Sequence, residues 1–213
     1  MLRGILSVLL CCGAARAVVI DRIAVIVDKH VIKTSDIDRD VRVTQFLNRQ
    51  KLDVSPPVKR QAAERLIDQT VIREEMEKGA YARSSSQDVD NMILHLSRER
   101  FAGSSERLKE ALSTYGLTLA QLRLQLQWQL DVLKFIDERF RPGVLVSDDE
   151  VRAYYNQHQA GLKRQFPGVN NYDALEPKIR ASLEGERLNQ NFDAWLAAAR
   201  KRDRIDYRQG AFE

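Results

Sequence analysis

Residues 117–140, LTLAQLRLQLQWQLDVLKFIDERF, admit two readings, and the choice between them decides the fold. From Leu122 to Val132 apolar and polar residues alternate with period two, the pattern of a half-buried strand. Yet Leu119, Leu122, Leu126, Leu130, Leu133 and Phe140 share one helical stripe that runs well past ordinary strand length. Thr118 and Gln121 have the spacing of a capping box, and Leu117 and Leu122 that of the hydrophobic staple around it. The segment is therefore expected to be a helix. The alternation then gains a second meaning, because Leu124, Trp128, Val132 and Phe135 form another stripe on roughly the opposite face. This helix should be apolar on two sides.

Working outward, Arg141-Pro142-Gly143 breaks the chain, and the same capping device recurs with Ser147 and Glu150 as the box and Val146 and Val151 as the staple. A helix is expected from Asp148 to about His158. After a short loop at Phe166 to Asp173, a last helix should start near Leu175 to Pro177. It carries Ile179, Leu183, Leu188, Phe192, Trp195, Leu196 and Ala199, and it ends in the basic turn Arg200 to Arg202. Arg204 to Arg208, RIDYR, reads as a short strand with Ile205 and Tyr207 on one face.

Toward the N-terminus, Ser55 and Pro56 open a helix that runs to Lys78, before Gly79, with Ala63, Leu66, Ile67, Thr70 and Val71 on one stripe. Serines 84 to 86 precede a helix bearing Val89, Ile93 and Leu96. Residues 103–105 introduce a shorter one with Leu108, Leu112 and Tyr115, ended by Gly116. Residues 18–37, VVIDRIAVIVDKHVIKTSDI, begin as a β-branched strand to Val27, turn at Asp28 to His30 and return as a short strand. Ser35 is then placed to cap a helix with Asp36 and Asp38 in its first turn, ending near Gln50. A lone hairpin and a lone terminal strand each leave edges unpaired. Pairing them closes a mostly α domain with a small antiparallel sheet formed by the N-terminal hairpin and the C-terminal strand.

Residues 1–17 have an early arginine, an apolar run from Ile5 to Cys12 and a small-x-small end at Ala15 to Ala17, the layout of a cleavable secretory signal cut after Ala17. A lipoprotein signal fits less well, since Leu10 precedes Cys11, and cutting before Cys12 puts Cys11 in the place of the small residue. Both cysteines lie in this segment, so residues 18–213 are expected to form a single unit without disulfides or thiol chemistry. Removing Arg3 and Arg16 leaves 32 basic against 30 acidic side chains, which is a solvated surface and not a nucleic-acid footprint. No later segment is apolar enough to cross a bilayer as a helix.

His30, His95 and His158 are isolated, and no HExxH, paired Cys/His spacing or phosphate loop occurs. The serines are explained as caps or loop residues without a nucleophile elbow. Asp148, Asp149 and Glu150 suit a helix N-terminus. No catalytic residue, metal site or cofactor is expected. What remains is apolar surface, and the candidates for contacting a polypeptide are Leu124, Trp128, Val132, Phe135, Tyr154 and Tyr155. The competing reading is that most of these are ordinary core.

The opening VIDRIAVIVDKHVIKTSDID, the helical LIDQTVIREEMEKGA, the block from Tyr115 to His158 and the final Trp195-Leu196 with RIDYR together resemble SurA-type periplasmic chaperones and the related parvulin-linked foldases. The resemblance implies a chaperone module in which an N-terminal helical segment folds with a C-terminal helix and strand. It also implies ATP-independent binding of unfolded outer-membrane polypeptides in the periplasm. The chain departs from that pattern between Tyr155 and Leu175: the short loop 163–174 occupies the place where relatives carry a parvulin domain. The histidine pair and glycine-rich segments of that domain are missing, so isomerase activity is not expected. A structural subunit that binds one folded partner or self-associates through the same apolar face is the alternative.

Overall fold

The computed structural model describes residues 21–169 and 171–212. The expected signal segment and Val18 to Ile20 of the expected first strand lie outside the described residues. Strand β1 (Ile23–Val27) and strand β2 (His30–Lys33) form the hairpin, and seven helices follow among the described residues: α1 (Thr34–Leu47), α2 (Pro56–Lys78), α3 (Ser86–Phe101), α4 (Ser105–Thr114), α5 (Leu119–Phe140), α6 (Asp148–Gln165) and α7 (Tyr172–Arg200). A 3-10 turn at Arg141–Gly143 follows α5, and strand β3 (Ile205–Tyr207) comes last.

The sheet order is β2-β1-β3, antiparallel throughout, so the two ends of the chain do pair. Val25, Ile26 and Val27 oppose Tyr207, Asp206 and Ile205. The ladder extends on both sides, with the Arg208 N–H donating to the Ala24 carbonyl and the Asp28 N–H to the Arg204 carbonyl, each at 2.9 Å. One face of this sheet buries Val25, Val27 and Ile32 against Ile37 and Val41 of α1 and Ala62, Ala63 and Ile67 of α2. Small alanines on α2 let the helix approach the strands closely, and Ile205 of β3 packs against the edge of this core.

The disputed segment is helical. The Thr118 hydroxyl accepts from the Gln121 N–H at 3.2 Å, and the Gln121 side chain accepts from the Thr118 N–H at 2.8 Å. Leu117 and Leu122 are both buried in a core shared by α1, α3, α4 and α5. The second box forms in the same way at Ser147 and Glu150. Gly116 stands at φ +66, where a Cβ would come within 3.0 Å of the Arg42 guanidinium. That conformation lets the Leu117 N–H return to the Leu112 carbonyl and the Gly116 N–H to the Ser113 carbonyl, closing α4 in a Schellman motif.

Three local expectations are corrected. Ser35 does not cap α1: the cap is Lys33, whose N–H donates to Asp36, while the Ser35 hydroxyl donates to Asp21 at 2.6 Å. Helix α2 ends at Lys78 as expected, with Gly79 as its cap, where a Cβ would meet the Tyr81 ring, and the left-handed residue is the following Ala80. Helix α6 continues past His158, where the backbone kinks. The His158 ring donates from Nδ1 to the Tyr154 carbonyl at 2.9 Å, the acceptor that an unbroken helix assigns to the His158 N–H. Helix α7 begins at Tyr172 and carries Pro177 inside it, because Leu175 and Tyr172 are held against α6 and stabilise an added first turn.

Candidate functional site

The two apolar stripes of α5 meet different neighbours. Leu122 and Leu126 enter the core with α3 and α4, whereas Trp128 and Phe135 meet Ile72 and Met76 of α2 and the aromatic residues of α7. Leu124 and Leu133 escape both contacts and are 69% and 60% exposed. Where α5 passes α1 and α2 beside the β2 strand, a groove of about 450 Å³ is left open. Leu124 and Trp128 line it from α5, Val43 from α1, Leu66 and Thr70 from α2 and Val31 from β2.

The polar lining is arranged in pairs. Asp40 is buried and accepts two bonds from Arg65, at 3.0 Å from Nε and 2.6 Å from Nη2. Burial pushes the Asp40 carboxyl above its ordinary range in spite of the Arg65 charge. Asp131, also buried, accepts from the Ser84 N–H at 2.7 Å, from Gln127 at 3.0 Å and from Arg83 at 3.3 Å. Burial opposes its ionisation, but these donors outweigh it and hold the carboxyl below its usual value. Asp36 pairs with Arg39 at the rim. Gln125 lines the same space, as does Gln69, whose side chain bonds to Asp40. Arg73 of α2 lays its guanidinium on the Trp128 indole, 4.1 Å from the ring centre. The groove thus combines an exposed leucine, a covered indole and amide groups able both to donate and to accept.

The structure divides the candidate residues. Leu124 and Trp128 share the groove, although Trp128 is only 7% exposed. Val132 is half-buried beside the aromatic core, and Phe135 has no exposed surface. Tyr81, Trp195 and Phe140 surround the Phe135 ring with centroids 4.9, 5.5 and 5.8 Å away. Tyr154 and Tyr155 lie on α6, away from the groove; Tyr154 stacks on His158 at 4.0 Å and Tyr155 meets Tyr172 edge-on at 5.4 Å. Sequence reasoning missed Arg73, Asp131 and Gln127. The i, i+4 spacing of Gln127 and Asp131 is a local signal for their bond. Nothing local points from Arg73 to Trp128.

Among the described residues, no group of three or more His, Cys, Asp or Glu side chains converges as a metal site, and no helix is long and apolar enough to cross a membrane.

The features define a class: a helical module, closed by strands from its two ends, with a groove of mixed polarity between its first, second and fifth helices. The proteins that the chain resembles in sequence are chaperones. It is 26% identical over 151 residues to the chaperone SurA of Chromobacterium violaceum, an alignment covering 69% of this chain and 34% of that protein. It is 29% identical over 152 residues to the chaperone SurA of Pseudomonas aeruginosa, covering 70% and 36%. A chaperone for lacto-N-biosidase from Bifidobacterium longum is 29% identical over 91 residues, 42% of this chain and 32% of that protein. The aligned part is about a third of the length of these curated relatives. A solved SurA-like chaperone of Campylobacter jejuni shares the fold with a TM-score of 0.56 at 15% identity, over 89% of this chain and 100% of that one. No family model matches. The chain is thus similar in sequence to SurA chaperones over about two thirds of its length and similar in fold to a SurA-like chaperone.

Proposed function

We propose that the chain is an ATP-independent periplasmic chaperone that holds unfolded polypeptides, outer-membrane proteins in transit among them, in the groove between α1, α2 and α5. The observation that carries this reading is the groove itself. An open space of about 450 Å³ suits a few residues of extended chain and not a folded partner. Leu124 offers apolar contact that needs no particular side chain, and the amide of Gln125 can satisfy peptide N–H and carbonyl groups that would otherwise lose their water. Such a surface binds by burial and backbone contact, which is what a holder of many sequences requires. Similarity to named chaperones supports the same reading.

A chemically unfolded outer-membrane β-barrel polypeptide, diluted into buffer without ATP, tests it. A modest molar excess of the chain is expected to suppress aggregation followed by light scattering. Absence of protection at a large excess would overturn the proposal.

A second reading is favoured by one observation. Leu133 and Leu188 face a shallow cavity of about 550 Å³ between α5 and α7, a surface suited to a folded partner or to self-association. A particle mass that doubles with concentration, together with no affinity for extended peptides, would favour it.

A further inference from the structure

Helix α6 and the first half of α7 have a core of their own. Its buried members are Val151, Leu162, Leu175 and Ile179, and every apolar residue packed with them, among those described, falls within residues 146–183. The second half of α7 belongs to the body of the molecule: Phe192 and Trp195 pack with Phe135 of α5 and Met76 of α2, and Arg200 is fastened to Asp68. Leu188, between the halves, joins neither core. A contiguous segment that buries its apolar residues on itself can move or open as a unit.

Two crossings of the chain link this hairpin to the body, and each carries a glycine that packing does not require. Gly143 ends the 3-10 turn after α5 and Gly185 stands in the middle of α7; a Cβ at either would meet nothing within 4 Å. In a helix interior glycine is less stable than alanine because its backbone has more freedom to lose, so Gly185 is the soft point of α7. A cavity of about 240 Å³, lined by Arg141, Val144, Glu184 and Leu188, lies at the same level. Arg187 spans the boundary: from just past Gly185 it donates to the Leu145 carbonyl and, at 2.6 Å, to Glu150 in the first turn of α6. Arg180, by contrast, donates to the Val146 carbonyl and to Asp148 from within the hairpin.

Independently of what the groove binds, we propose that residues 144–184 form an arm that swings as a rigid hairpin on Gly143 and Gly185, with Arg187 as its latch, and so sets the width of the space at Leu188. The separate core keeps the arm intact as it moves, the two glycines absorb the change in backbone angle, and the cavity between the crossings gives room for it. The latch is a partly exposed pair with one further bond to a carbonyl, strong enough to favour the closed position and weak enough to release.

The test uses the full chain with Cys11 and Cys12 replaced by serine and spin labels attached through Arg164→Cys, at the far end of α6, and Arg98→Cys on α3, both exposed positions. Helix α6 has 18 residues, so it is about 27 Å long and a swing of about 15° carries its tip about 7 Å. Pulsed electron spin resonance is expected to show a second distance displaced by that order. Arg187→Gln should raise its population severalfold, and Gly185→Ala should lower it. Amide protection within α6 should be the same in Arg187→Gln as in the unaltered chain, because a swing leaves the hairpin's own bonds in place. A single narrow distance shared by all three chains overturns the arm. A distance distribution that Arg187→Gln broadens and Gly185→Ala leaves unchanged overturns Gly185 as the pivot. Broad distances accompanied by loss of amide protection throughout α6 overturn the rigid swing in favour of local unfolding.

Discussion

Arg200, the last residue of α7, donates to Asp68 of α2 at 2.8 Å across 132 residues of sequence, and its other terminal nitrogen donates to Glu64. The Tyr207 hydroxyl of β3 donates to the same Glu64 at 2.7 Å. One arginine thus fastens the C-terminal helix to α2 just before the chain turns into the strand that closes the sheet.

Arg200→Ala should therefore destabilise the whole unit, since two carboxylates half out of water lose their shared cation. The pairs are partly exposed and screened, so the expected loss is about 1–2 kcal/mol. Urea unfolding followed by circular dichroism measures it, and a midpoint equal to that of the unaltered protein would count against the clasp.

Ile205 carries the apolar side of the same closure, packed on the core beneath β1. Ile205→Ala should cost about 1–3 kcal/mol, less than a fully buried isoleucine. Amide hydrogen exchange at Ala24 to Val27 should accelerate more than exchange in α3 or α4, because β3 is the neighbour that shields one edge of β1.

Phe135 and Leu124 occupy one stripe of α5 and should behave oppositely. Phe135→Ala empties the centre of the aromatic core and is expected to cost about 3–5 kcal/mol. Leu124→Ser touches an exposed side chain and should stay within about 0.5 kcal/mol. The surface variant is the one expected to lose client affinity, severalfold in a peptide titration. If Leu124→Ser binds peptides as well as the unaltered chain, the groove is not the client site.

Glu150 is lowered from 4.5 to about 2, chiefly by the bond from Arg187, then by the N–H and hydroxyl of Ser147. A depressed folded value means that its contribution to stability is present above the unfolded carboxyl range and fades as pH falls from about 4.5 toward 2. Carbon-detected NMR titration should place the Glu150 midpoint near the bottom of that window. Arg187→Gln should return the midpoint toward the ordinary glutamate range and soften the acid transition.

Much of this architecture was legible without coordinates. The boxes at Thr118 and Ser147 join residues three apart, so their geometry follows from the chain itself, and they placed the starts of α5 and α6 correctly. The pairing of RIDYR with the opening hairpin followed from counting strand edges that had no other partner. The candidate surface was less legible. Leu124, Trp128, Val132 and Phe135 look alike as members of one stripe, yet their exposures run from 69% to none. That spread depends on where α7 arrives, more than 50 residues later, and on Arg73, which reaches Trp128 from α2.

The sequence by itself determined the elements, through caps, periodicity and turn chemistry that act within about four residues. It also determined that the ends must meet. Only the tertiary structure decided which apolar face stays open: Tyr81, Phe140 and Trp195 close over Phe135. The groove beside Leu124 remains because α1 spends its apolar residues on the sheet and on the core with α3 and α4, and α2 spends its own on the sheet and on Trp128 and Phe135 of α5. Burial is a competition among distant side chains for the same surface, and no local pattern records its outcome.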